Sequence, residues 1–284
     1  MALERVIPES EHWSYSHADH LSRYLFAAPY VRDRRVLDAG CGCGYGSALL
    51  AEFGAREVVA IDIDEATIEL AQKTYRRTNV SFKVCDCERL DQIAGEYDVI
   101  CNFENIEHLR DPEAFLGRIN SHMNSDGVLL CSSPDLRGPY DVDETGRTIN
   151  PYHVNEWHQQ EFEDLLRKYF DKVEMKQQVQ AHGAHRRINA AKEINDFLAQ
   201  MWSSPVRRFG RGIGKLFGRK YAWPAVLEVA SPSPQDYPIV SSQIAHFFGV
   251  PYCHMAVCRQ PIVRGSSPPS SAEWMPFSAA SSVR

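Results

Sequence analysis

The sequence lacks the marks that send a chain into or across a membrane. No apolar run is long enough to span a bilayer. The opening MALERVIPESEHWSYSH has no basic start, apolar middle or small-residue cleavage site. A soluble, cytoplasmic protein is therefore expected. An excess of positive charge is missing too: 31 Lys and Arg against 37 Asp and Glu leave a formal net charge of -6. That excludes bulk electrostatic attraction to nucleic acid. Matched metal-ligand cysteines are also absent. Cys41-x-Cys43 and Cys85-x-Cys87 have one intervening residue where structural zinc usually needs two or more. No metal site is expected there, and the eight cysteines read as free thiols acting as small hydrophobes in a reducing compartment.

What is present is apolar, alternating and globular. With 284 residues at 44% hydrophobic content, the chain can bury one large core or two modest ones. Five short runs, RVLDA (35–39), EVVAIDI (57–63), VSFKVC (80–85), YDVICNF (97–103) and GVLLCSS (127–133), lack the polar alternation of half-exposed strands and read as buried parallel ones. Helical spacing fills Tyr45–Phe53, Glu65–Tyr75 and Pro112–Met123, the last with Asp111 as N-cap and Pro112 at its first position. Strand and helix in alternation imply a doubly wound α/β sheet with its ligand at the carboxyl ends of the strands. Two later strands are expected at 173–179 and 252–258.

Between them lie a helix at Arg187–Met201, a basic segment at 206–220 with six Arg or Lys, and the Pro/Ser-rich SPSPQDYP. Residues 181–250 are read as a helical cap, and the basic segment as a possible contact with a membrane surface or anionic lipid. The tail at 261–284 reads as disordered.

The stretch LDAGCGCGYGSALLA, 37–51, places glycines at every second position behind the first strand. Bare backbone there lets a ligand lie close, and the following helix N-terminus offers N–H groups. A nucleoside triphosphate loop needs a lysine before the Ser, and Gly46-Ser47 has none nearby. A dinucleotide loop needs G-x-G-x-x-G, but the sixth position is Tyr45 counted from Gly40 and Ser47 counted from Gly42. A nicotinamide-dependent oxidoreductase stays as a rival reading, as does a non-catalytic binding or scaffold protein.

Asp38-Ala-Gly40-Cys-Gly42-Cys-Gly44 resembles the first motif of class I S-adenosylmethionine-dependent methyltransferases. AIDID resembles the family's second acidic position, where Asp62, followed by Ile63, implies hydrogen bonds to the ribose hydroxyls. CDCE implies an adenine contact from Asp86 with the Cys87 backbone N–H alongside. NFENIEHLRDPEAFL is similar to the F-E-x-I-E-H-L pattern of one subgroup, as are the flanking HADHLSRYLFAAPYV and NPYHVNEWHQQEFEDLL. The likeness covers roughly residues 15–175. It implies S-adenosylmethionine as cofactor and a mostly parallel, seven-stranded Rossmann-like core over 35–180. That core would have an N-terminal helical lid (1–34) and the cap inserted before a final strand (251–260).

Within that frame the lid's Tyr15, Arg23 and Tyr24 are expected over the donor, and Asn102 at the end of the fourth strand. Methyl transfer needs donor and acceptor held close and, for a hydroxyl acceptor, removal of a proton. Glu104, Glu107, His108 and His153 are the candidates for that wall, with His153 favoured as base because it approaches from a polar loop at 135–155. The acceptor is expected to be a small molecule or glycan methylated on oxygen or nitrogen. NFEN does not match the Asn/Asp-Pro-Pro-aromatic motif of amino-directed DNA methyltransferases, and there is no Pro-Cys pair for attack on cytosine.

Overall fold

The structure, a computed structural model, describes residues 13–136, 150–181, 235, 237–243, 245 and 249–262. The expected helix at Arg187–Met201, the basic segment 206–220 and all but the first residues of the tail lie outside these. Within them no helix is long and apolar enough to cross a membrane.

The chain opens with helix α1 (Trp13–Val31) and then alternates: β1 (Arg35–Ala39), α2 (Tyr45–Glu52), β2 (Glu57–Asp62), α3 (Glu65–Thr74), β3 (Val80–Val84), β4 (Tyr97–Phe103), α4 (Pro112–Ser121) and β5 (Met123–Pro134). There follow α5 (Gln159–Arg167), β6 (Phe170–Ala181), β7 (Ile239–Ser241) and β8 (Gly249–Pro261). They form one sheet of order β3-β2-β1-β4-β5-β8-β6-β7. The first five strands pair in parallel. β8 enters antiparallel between β5 and β6, and β7 pairs antiparallel with β6.

The sheet is therefore mixed and eight-stranded, which corrects the expected seven. The additional strand, Ile239–Ser241, is three residues long at the sheet edge and directly follows Pro238. It carries no run for a periodicity to reveal.

The parallel strands are apolar on both faces because both faces are covered. Along β1, Val36 packs into one cluster with Tyr24, Ala27, Val31 and Leu50 of α1 and α2. Its neighbour Leu37 packs into the other, with Phe115, Leu116 and Ile119 of α4 and Phe162 and Leu166 of α5. The two-residue side-chain period of a strand sends alternate residues into opposite cores. Short polar signals set the helix starts: Asp111 Oδ1 accepts from Ala114 N at 2.8 Å with Pro112 in the first turn, and Asp64 caps α3 through Ala66 N. β1 lies between β2 and β4, so the chain direction of winding reverses there and the crevice opens at the carboxyl ends of these strands.

Candidate active site

A cavity of about 520 Å³ occupies that crevice. Its floor is the β1–α2 turn. Gly40, Gly42 and Gly44 hold φ of 82°, 52° and 84°, the left-handed region that side chains disfavour. At Gly42 a Cβ would meet nothing within 4 Å, so its bare backbone faces open space.

Asp62 ends β2 and fixes this turn. One carboxylate oxygen accepts from Gly42 N at 3.0 Å and the other from Asp64 N at 2.9 Å. The carboxylate lines the cavity. The side chain of Ile63 beside it is 62% exposed. Asp86 follows β3, where its Oδ1 accepts from Glu88 N at 2.8 Å and starts the turn at Cys87–Gln92. Cys87 lines the same wall, and burial pushes its thiol well up, so it is a neutral wall atom.

Glu104 follows β4 with φ 49°, an uncommon setting for a residue with a side chain. Its Oε1 accepts from Ser132 Oγ at 2.9 Å and lies 3.2 Å from Cys253 Sγ, while Oε2 stands 3.5 Å from the Arg23 guanidinium. His108 lines the cavity, and its Nδ1 donates to the Tyr152 carbonyl across 2.9 Å, which leaves the lone pair on Nε2.

Three residues expected at the cofactor stand behind the wall instead. Asp38 is buried beneath the turn, accepting from Ser47 Oγ at 2.6 Å and from the Tyr24 hydroxyl at 3.3 Å. Burial raises its carboxyl to about 6, against the pull of those two hydrogen bonds. Asn102 donates to the Ala39 carbonyl at 3.0 Å and ties β4 to β1. Arg23, 1% exposed, joins Gln178 at 2.7 Å, Asp19 and Glu104. Burial raises Asp19 to about 6, opposed by Arg23 and reinforced by Glu104. Tyr24 does reach the cavity, edge-on to Phe103 and Tyr45. Tyr15 lies in α1, with its side chain outside the description.

His153 is not a lining residue. Its side chain is 8% exposed and its ring stands 5.2 Å from that of His108. Sequence reasoning passed over Tyr45, Asn105 and Tyr152, which the fold brings to the wall. Asn105 fills the space over Gly40, where a Cβ would come within 2.7 Å of its side chain.

Residues 11–185 match the family described as "Methyltransferase domain". The chain belongs to that family. A probable S-adenosylmethionine-dependent methyltransferase of Mycobacterium tuberculosis (strain ATCC 25618 / H37Rv) is 34% identical over 165 residues, 57% of this chain and 58% of that one. A ubiquinone biosynthesis O-methyltransferase of Ruegeria sp. (strain TM1040) is 31% identical over 101 residues, 35% of this chain and 40% of its own. The chain thus spans less than two thirds of these relatives. In fold it is similar to an N-methyltransferase of Haemonchus contortus solved with phosphomonomethylethanolamine and S-adenosylhomocysteine, with a TM-score of 0.52 and 16% identity, covering 87% of this chain and 53% of that one.

Proposed function

We propose that the protein transfers a methyl group from S-adenosylmethionine to an oxygen or nitrogen of a small molecule or glycan. The observation that carries this reading is the meeting of Gly42, Asp62 and Asp86, from the ends of three neighbouring strands, in one cavity. The residues fit the donor. Gly42 offers bare backbone toward open space, Asp62 brings its carboxylate to the cavity for the ribose hydroxyls, and Ile63, Asp86 and Cys87 line the wall beside it for the adenine. The volume lies in the range of small-ligand pockets.

When bound, the donor supplies an electrophilic methyl on a sulfonium. The chain's own work is to hold that methyl beside the acceptor and keep the approach dry. His20 and Tyr24 of α1 close one side of the cavity. Glu104, His108 and Tyr152 form the acceptor end, with His108 Nε2 presenting its lone pair. His153, packed against His108, acts through it as a positioning residue. Relatives named as O-methyltransferases favour oxygen as the acceptor atom.

Calorimetry with S-adenosylhomocysteine tests the reading. The wild type binds, and Asp62→Ala binds about tenfold to a hundredfold more weakly, as loss of a charge-assisted hydrogen bond of roughly 1.5–3 kcal/mol requires. Wild-type affinity in that variant would overturn the ribose assignment. Binding of NADH with none of S-adenosylhomocysteine would return the site to the oxidoreductases.

A further inference from the structure

We propose that Glu107, His108 and His153 form a divalent-cation site at the acceptor end of the cavity, suited to a first-row transition cation. Its role in the reaction rests on the methyltransferase reading; its geometry does not. One ligand atom from each of the three residues lies within 4.8 Å of the others. With metal bonds of about 2.0–2.2 Å, ligand atoms stand about 3–4 Å apart around a shared cation, so small side-chain adjustments close this cluster onto one. Two imidazoles and one carboxylate are a donor set that suits divalent iron, cobalt, manganese or zinc and leaves coordination positions open.

The cluster is held in place before any ion arrives. Its members come from two segments 45 residues apart in the chain, and three hydrogen bonds besides that of the His108 ring join those segments. The Glu107 carbonyl accepts from both Val154 N and Asn155 N at 3.0 Å, and Asn155 Nδ2 donates to the Leu109 carbonyl at 2.6 Å. Each imidazole is then oriented by an outer partner, as metal-binding histidines usually are. His108 Nδ1 is held on the Tyr152 carbonyl, which directs Nε2 toward Glu107 Oε1 at 3.9 Å, too long for a hydrogen bond. The His153 ring is anchored at Nε2 by Asn150 at 2.9 Å.

The Glu107 side chain is 1% exposed, and Glu156 Oε1 stands 3.7 Å from His153 Nδ1, a second carboxylate beside the cluster. Because His108 lines the cavity, the open coordination positions of the ion face the space where the acceptor sits. The site therefore suits an acceptor that presents an oxygen able to ligate the ion, and the ion holds that oxygen at the wall.

The test uses full-length, tag-free, chelator-treated protein with Co²⁺ as the probe, followed by visible absorption and calorimetry, and with Mg²⁺ as a hard-cation control. One Co²⁺ per chain is expected, with ligand-field bands of an imidazole-containing site and weaker binding of Mg²⁺. Glu107→Gln and His108→Ala should each weaken Co²⁺ roughly a hundredfold or more, beyond the effect of losing an outer-shell partner. Glu107 is buried, so the half-buried His108 supplies the variant that keeps its fold. S-adenosylhomocysteine binding is measured on the same samples without metal, and its failure would count against the donor reading alone. No stoichiometric Co²⁺, or Co²⁺ binding that His108→Ala and His153→Ala leave unchanged, overturns the cation site.

Discussion

The ring of Tyr24 fills the space that any side chain on Gly46 would need: a Cβ built there falls 1.9 Å from Tyr24 Cζ. Helix α1 docks on α2 through that missing methyl, and the docking puts the Tyr24 hydroxyl on Asp38 and its ring at the cavity. Gly46→Ala should expel the ring. Overpacking of this kind costs about 1–3 kcal/mol, and the better helix propensity of alanine returns at most about 1 kcal/mol. A lowered urea midpoint together with weaker S-adenosylhomocysteine binding is expected. Unchanged values of both would show that the docking of α1 does not depend on this contact.

Asp38 should give stability an inverted pH response. Its folded value of about 6 lies above that of an unfolded carboxyl. Its contribution is thus fully present below about pH 4 and is lost as pH rises through about 6. Asp38→Asn does not titrate, so the variant should gain on wild type by on the order of 2 kcal/mol between pH 4 and pH 7. Urea unfolding of both proteins across that range measures the difference, and a constant gap would remove Asp38 as its source.

Arg23 is a buried cation of α1, shared among Gln178, Asp19 and Glu104. Arg23→Ala strands two carboxylates and should cost about 3–5 kcal/mol. Adding Glu104→Gln should restore part of that loss, because the second change removes a charge the first left unpaired. A double-mutant cycle by chemical denaturation reads the coupling directly, and simple additivity would mean that the pair is not energetically linked.

Phe115 on α4 is fully buried against the sheet face that carries Leu37 and Ile100. Phe115→Ala should lower stability by about 3–5 kcal/mol through lost burial and the cavity left behind. Donor affinity in the folded fraction should change far less than stability, since Phe115 itself does not line the cavity. Calorimetry below the unfolding midpoint checks that separation.

Much of the fold is legible in the sequence because buried parallel strands must be apolar on both faces, and 35–39 and 97–103 agree with β1 and β4 to the residue. β5 begins earlier than its apolar run, at Met123, because Met123 pairs with Tyr97 across an irregular register before the regular ladder resumes at Val128. β7 escaped notice because three residues at an edge make no pattern. At the site, residues that follow strand ends, Gly42, Asp62, Asp86, Glu104 and His108, stand at the cavity, since strand ends are where the topology opens. Asp38, Asn102 and Arg23 sit one layer deeper, and no spacing in a sequence separates a residue that touches a ligand from one that holds its neighbour. The approach of His153 to His108 was hidden for another reason: it depends on hydrogen bonds from 154 and 155 back to the Glu107 carbonyl, which belong to tertiary structure alone.

The place of β8 in the sheet has a consequence for how the chain is made. β5 and β6 do not pair with each other; both pair with β8, which lies between them and is reached only at residue 249. A nascent chain that has already emerged through β6 therefore carries two long inner strands with open edges, waiting for one late segment. Open edges invite pairing with other chains. Between synthesis of β6 and β8 the two strands therefore hold unpaired edges that only the later segment covers.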